Sequence, residues 1–320
     1  MKKYFIITVD VEGDNLWKPV ITSTGMREIT VRNAEYIERF QLLCERYHFV
    51  PTYLVDYEMA EAQTFVEMAK QWLQEGKCEI GMHMHAWNTP PIFDLEYKRG
   101  SHNPYAGEYP HEIMWKKLKF MTNLIQKQFG VHPVSHRGGR WYIDPWYVYA
   151  LQKLGYKADC SVTPGISWKQ HIGYRCFGND YTKYPRRAYY MEGKKLYKAK
   201  GKGILEIPPT IMGYSLNDKI RAMLKNPLAY KEVMSQKMWL RPNGKNLGDM
   251  LNIVAYAKKS KCDYLEFMIH SSELMPGGSP TFVNAHSIEK MYEHIENLFG
   301  NIEKTYKGIT LGEYAEERRK

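Results

Sequence analysis

Two rhythms of apolar and polar residues alternate along this 320-residue chain. Short runs rich in β-branched and aromatic residues read as buried strands, at 4–9, 50–55, 78–83, 134–137, 157–161, 204–207 and 265–270. Between them, apolar side chains recur every three or four positions at 33–47, 59–75, 111–129, 145–154 and 246–259. Two further stretches of that helical period, 285–299 and 311–318, follow near the end. Gly130, Gly155 and Gly300 stand just beyond such stretches, where a left-handed residue is expected to end a helix. Strands alternating with helices in this way are parallel strands joined by crossover helices. The pattern predicts an α/β fold over 1–320, a distorted (β/α) barrel of about seven parallel strands. No internal repeat, low-complexity tract or linker divides it. Two connections, 87–110 and 163–202, are too long to be simple links and read as substrate-facing loops.

Three of the apolar runs end in ionisable residues: Asp10-Val11-Glu12, His83-Met84-His85 and His270. Carboxyl ends of parallel strands meet at one edge of the sheet, where active sites gather. Residues two apart on an extended strand share a side, so Asp10 and Glu12 can face one cavity, as can His83 and His85. A carboxylate and neutral imidazoles are a donor set for zinc or a similar divalent ion, and a second carboxylate beside them can act as a base. The polar ends would equally suit solvated loops, and a lone histidine is more often structural. His-x-His after a strand is harder to dismiss. Ser135-His136-Arg137-Gly138-Gly139-Arg140-Trp141 adds two guanidiniums around an open glycine backbone, Arg137 placed to orient a carboxylate and Trp141 to stack on a sugar ring. Asp159 lies at another strand end, and His270 precedes a sharply turning loop, Ser271-Ser272-Glu273-Leu274-Met275-Pro276-Gly277-Gly278.

Composition narrows the setting. With 44% hydrophobic and 25% charged residues this is an ordinary globular chain. Its apolar start is too short for a secretory signal and runs into Asp10, and no run approaches the length of a transmembrane helix. Five scattered cysteines, without a Cys-x-x-Cys pair, argue against a disulfide framework and a thiolate zinc site and fit a reducing cytoplasm. The formal net charge of +10, densest at 186–187 and 194–202, suits an anionic partner, but no nucleic-acid module accompanies it.

The order of the five segments resembles the polysaccharide deacetylase (NodB-homology, carbohydrate esterase family 4-like) superfamily over most of the chain. Thr8-x-Asp10-x-Glu12 is similar to the first family motif in its Asp-x-Asp/Glu form. His83, Arg137, Asp159 and His270 match the second to fifth, and Leu205-Glu206-Ile207-Pro208-Pro209 resembles a strand common in relatives. The resemblance implies a NodB-like barrel with Asp10 as general base and Glu12 and His83 as metal ligands. It also implies His270 as general acid, with Arg137 orienting the base and Asp159 tuning the arginine–histidine network. The usual second metal histidine would fall at Trp87, and His85 is the substitute, as in a His-x-His-x-Trp variant.

The implied activity is metal-dependent removal of an N-acetyl group from an amino sugar. The expected cofactor is one divalent ion, zinc by the histidine ligands. Trp87, Arg140 and Trp141 are expected to bind substrate, with Tyr105, Trp146 and Trp168 as further sugar platforms. With no export signal, the expected substrate is a cytoplasmic glycan precursor, anionic or lipid-linked, for the cell envelope. Two alternatives stand beside this reading: a non-sugar C–N hydrolase on the same scaffold, and a glycan-binding protein whose catalytic site has decayed. Joint retention of Asp10, Glu12, His83 and His270 argues against the second.

Overall fold

The computed structural model describes all residues except 1, 17–20, 23–24, 27–28, 96–103, 194, 200–202, 215–219, 221–223, 225–235, 261 and 320. Parts of both long connections and of the basic run at 194–202 therefore lie outside the described residues.

The main strands are β1 (Tyr4–Val11), β2 (Pro51–Val55), β3 (Glu79–Met84), β4 (Ser135–Gly138), β5 (Ala158–Asp159), β6 (Tyr189–Glu192), β7 (Lys195–Ala199), β8 (Ile204–Glu206), β9 (Ile211–Gly213), β10 (Lys237–Trp239), β11 (Tyr264–His270) and β12 (Lys307–Gly308). The sheet runs β11-β1-β2-β3-β4-β5-β8-β6-β7, with β12 also against β1. All pairings from β11 across to β8 are parallel, which gives the seven expected strands. The connection 163–202 is not wholly loop: β6 and β7 arise within it and extend the edge antiparallel. β8 stops before Pro208 and Pro209, which have no N–H to donate. The gap to β11 is bridged instead by single backbone bonds, Thr210 N–H to Glu266 O (3.1 Å) and Met268 N–H to Leu240 O (3.3 Å). The barrel is distorted for this reason.

The helices are α1 (Ile37–Arg46), α2 (Tyr57–Glu61), α3 (Gln63–Gln74), α4 (His111–Phe129), α5 (Pro145–Lys153), α6 (Leu247–Lys259), α7 (Ala285–Ile302) and α8 (Leu311–Glu317). Their ends follow capping chemistry. Asp144 accepts from Tyr147 N–H ahead of Pro145, and Asn284 and Ser287 cap α7 reciprocally. Gly130 and Gly155 are left-handed beyond α4 and α5, but Gly300 lies inside α7, whose apolar stripe continues to Ile302. The predicted helix over 59–75 is two helices, broken at the extended backbone of Ala62.

Period-two alternation divides the core. Along β1, Phe5, Ile7, Val9 and Val11 pack outward with the helices, while Tyr4 and Ile6 face the barrel interior. On β11, Leu265, Phe267 and Ile269 join the outer core and Tyr264 the inner one. Leu311 and Tyr314 of α8 close the amino-terminal end of the interior. Further up the barrel, inward positions are polar: Thr8 and Asp10 on β1, Glu266 and His270 on β11, His83 on β3 and Arg137 on β4. The apolar half is a plug, and the polar half opens on a site.

Candidate metal centre with an acid and a base

Strand register assembles the site. Asp10 is the β-partner of His270, and His83 of Arg137. Two pairs distant in sequence thus meet on adjacent strands at the carboxyl edge.

Glu12, His83 and His85 are all buried, and their ligand atoms lie within 4.8 Å of one another. Glu12 Oε2 stands 3.3 Å from His83 Nε2 and 3.4 Å from His85 Nε2. His83 Nδ1 lies 3.0 Å from the Arg137 carbonyl, so it carries the proton and leaves Nε2 as a donor atom facing Glu12. His85 Nδ1 is buried with no hydrogen-bond partner. Its ring is held by stacking instead: Trp87 lies 4.5 Å away at 14°. On its other side Gly139 leaves room that a Cβ would take from the ring. Burial, aided by His83, pushes His85 down to about 3, so it is a neutral imidazole. Burial would raise the Glu12 carboxyl, but His270, His83 and His85 outweigh it and lower it. One carboxylate and two imidazoles converging on a shared point fit a divalent ion. The backbone of Glu12 is also clamped: Asn33 Nδ2 donates to its carbonyl (2.7 Å) and to Ser271 Oγ (2.7 Å), which accepts from Glu12 N–H at 3.1 Å.

Asp10 is anchored differently. Its Oδ1 accepts from Arg137 Nη1 at 2.5 Å, while Oδ2 faces His270 Nε2 at 3.6 Å. Burial would raise its pKa, but Arg137 above all, with His83 and His270, holds it down at about 2. Arg137 itself is fully buried, with Nη2 donating to Thr8 Oγ1 and to Glu266 Oε1, both at 2.8 Å, and Nε to the Cys160 carbonyl at 3.1 Å. Thr8 also bonds to Glu266. One cation therefore serves two buried carboxylates, and they divide: Asp10 is ionised while burial, against Arg137, pushes Glu266 up to about 7. Glu266 Oε2 has no hydrogen-bond partner, so no donor there stabilises a charge on it. Glu266 is not among the residues singled out from the sequence. Its signal was there, since it precedes His270 by four on one strand and so faces the same side.

On His270, Nδ1 meets Arg241 Nη2 at 2.9 Å and Glu273 Oε2 at 3.1 Å, and Glu273 also accepts from Arg241 and from the His270 backbone N–H. Arg241 can only donate to Nδ1 and Glu273 can only accept from it, so the two contacts belong to alternative protonation states of the ring; with Nδ1 accepting from Arg241 the ring proton sits on Nε2, toward Asp10. Glu273, although buried, is held down at about 2 by Arg241 and His270. Arg241 carries no motif signal: it reaches the site from the loop after β10 only through the fold.

Asp159 does not serve the network expected of it. Cys160 faces the barrel interior, so its neighbour Asp159 faces outward, where His136 Nδ1 lies 2.6 Å away and Ser161 donates to it. Only the Cys160 carbonyl of that segment touches Arg137.

A cavity of about 270 Å³ opens over these groups, lined by Asp10, Glu12, His83, His85 and His270 at its base. Trp87, Arg140, Trp141, Trp168 and Arg241 form its walls. Arg140 and Trp141 are both left-handed, at φ 56° and 58°. That conformation places the Arg140 guanidinium 4.0 Å over the Tyr105 ring, and stacks Trp141 on Trp168 with centroids 6.4 Å apart. Trp146 is elsewhere, stacked on His111.

No protein-family model matches the chain, and no curated protein matches it in sequence. Solved structures do match. A Mycobacterium smegmatis protein assigned as a polysaccharide deacetylase superposes with a TM-score of 0.58 at 12% identity, covering 100% of this chain and 91% of that one. One from Parabacteroides distasonis, assigned as a glycoside hydrolase/deacetylase, gives 0.60 at 10% identity over 99% and 71%. The 4-alpha-glucanotransferase of Thermococcus litoralis gives 0.54 at 12% identity, this chain spanning 41% of its length. Identities this low establish a shared fold. What this chain shares with them is the scaffold, a distorted α/β barrel of mostly parallel strands. Among the described residues no helix is long and apolar enough to cross a membrane.

Proposed function

We propose that this chain is a metal-dependent hydrolase that removes an N-acetyl group from an amino sugar in a polysaccharide or glycan precursor. The observation that carries the reading is the convergence of Glu12, His83 and His85 on one point beside His270 and an ionised Asp10. Zinc suits two imidazoles and a carboxylate, and an ion held there would polarise the amide carbonyl and acidify a bound water.

The chain's own residues do the rest. Asp10, fixed through Oδ1 by Arg137, presents Oδ2 to take the proton of the attacking water. His270 presents Nε2 to the same volume, 3.6 Å from Asp10, and gives its proton to the departing nitrogen as the C–N bond breaks. Acetate and a free amine result. Arg241 and Glu273 hold the His270 ring in that orientation. Trp87 and Trp141 offer apolar faces for a pyranose, with Arg140 beside them for polar or anionic substituents. Five cysteines without disulfides suit action in the cytoplasm on an envelope-glycan precursor.

The test is acetate release from N-acetylglucosamine oligosaccharides by zinc-loaded protein. Asp10→Asn and His270→Ala should each lower turnover by about 10²–10⁴-fold. Unchanged turnover in both variants refutes the acid–base assignment. Hydrolysis of a cyclic amide with no acetate release from any glycan would move the chain to the non-sugar alternative.

A further inference from the structure

One cavity lies away from the chemistry. About 510 Å³ in volume, it is lined from β9, β10 and α6, beside the gap that separates β8 from β11. Tyr264, at the amino-terminal end of β11, is part of its floor, whereas His270, at the other end of that strand, belongs to the catalytic site. The volume is in the range of pockets that enclose a small organic ligand.

Its lining has two parts. Ile211, Met212, Met238, Ala255 and Tyr256 supply an apolar trough, with Tyr256 63% exposed at the rim. Arg186, Arg187 and Lys259 stand around the same trough, and the lining contains no aspartate or glutamate. Among the described residues none of these three cations pairs with a carboxylate. Other exposed arginines and lysines do, as Arg39 does with Glu289 and Lys157 with Glu316. Three like charges beside an apolar surface repel one another unless an anion joins them. An apolar cavity alone would take any greasy group, and a cationic patch alone any phosphate. The combination selects a molecule carrying both.

We propose that this cavity binds a single-chain anionic amphiphile, its phosphate or similar headgroup between Arg186, Arg187 and Lys259 and its apolar chain along Met212, Met238 and Tyr256. The site stands apart from the deacetylase reading, since it shares no lining residue with the catalytic pocket.

Calorimetric titration with dodecyl phosphate below its micellar concentration tests the proposal. One molecule should bind per chain, with dodecyl maltoside and inorganic phosphate each at least about tenfold weaker, because each lacks one half of the ligand. The double variant Arg186→Ala/Arg187→Ala should lose about tenfold in affinity, and Arg186→Lys/Arg187→Lys should keep most of it. A His270→Ala variant should bind like wild type, which separates this site from the fate of the proposed activity. Absence of dodecyl phosphate binding to the wild type overturns the proposal, as does equal affinity for dodecyl maltoside. Unchanged affinity in a folded double alanine variant overturns it too. So does concentration-dependent self-association that Tyr256→Glu abolishes while no amphiphile binds, because the face then belongs to a second copy.

Discussion

Glu266→Gln isolates the way in which one buried guanidinium is shared between two carboxylates. Glu266 is fully buried, and its carboxyl is pushed up from 4.5 to about 7 by burial, against the pull of Arg137. An acid whose pKa rises on folding binds its proton more tightly in the folded state. Its contribution is therefore intact below about pH 4.5 and is lost as pH rises toward 7. At about 1.4 kcal/mol per pH unit, that interval corresponds to a loss of about 3 kcal/mol, complete above pH 7. Glutamine resembles the protonated acid: its carbonyl can accept from Arg137 and Thr8 as Oε1 does now. Its amide would occupy the place of Oε2, which has no partner, and would add a pH-independent cost of about 1–3 kcal/mol relative to the protonated acid, so that above pH 7 the variant matches or exceeds wild type. The assay is urea unfolding of both proteins at pH 5 and pH 8, with chelator present so that metal linkage is absent from both. Between those conditions wild type should lose about 2.5 kcal/mol more than the variant, other titrating groups cancelling in the double difference. A double difference near zero, or one of opposite sign, would show that Arg137 keeps Glu266 ionised and that the division of roles is wrong.

Other perturbations test separate parts of the site. Arg137→Met leaves Asp10 and Glu266 buried without their cation and should cost about 3–5 kcal/mol, read as a lowered midpoint of thermal unfolding; a midpoint within a degree of wild type contradicts the network. Glu273→Gln removes an acid held at about 2, whose stabilisation is present above about pH 4.5 and fades as pH falls toward 2. The variant should be less stable than wild type at pH 6, by up to about 3 kcal/mol, and the gap should narrow at pH 3 in denaturant titrations. Gly139→Ala should displace His85, because the new methyl overlaps its ring and presses on the Met84 carbonyl, and metal content after zinc loading should fall, with circular dichroism checking that the variant stays folded. Stoichiometric zinc in that variant, or in His85→Ala, measured by plasma mass spectrometry, would remove His85 from the ligand set.

Much of the architecture was legible because strands and helices write their periods into the sequence. The seven parallel strands fall within a few residues of the apolar runs, since each is buried on both faces or ends in one polar cluster. Asp10, Glu12, His83, His85, Arg137 and His270 were visible for the same reason: each lies at or just past the end of such a run. The antiparallel edge formed by β6 and β7 was not, because an edge strand that is partly exposed carries no continuous apolar signal.

What the sequence determined by itself was the set of parallel strands and the residue types at their carboxyl ends, because both depend on local pattern and chain order. The tertiary structure alone decided which of these side chains meet. Parity within β5 turns Asp159 outward to His136, while the same parity in β11 turns Glu266 inward to Arg137. Register between β1 and β11 sets Asp10 opposite His270, and a loop far from any motif delivers Arg241 to the same histidine. Such contacts depend on a shift of one residue between strands, and no single strand's sequence carries that information.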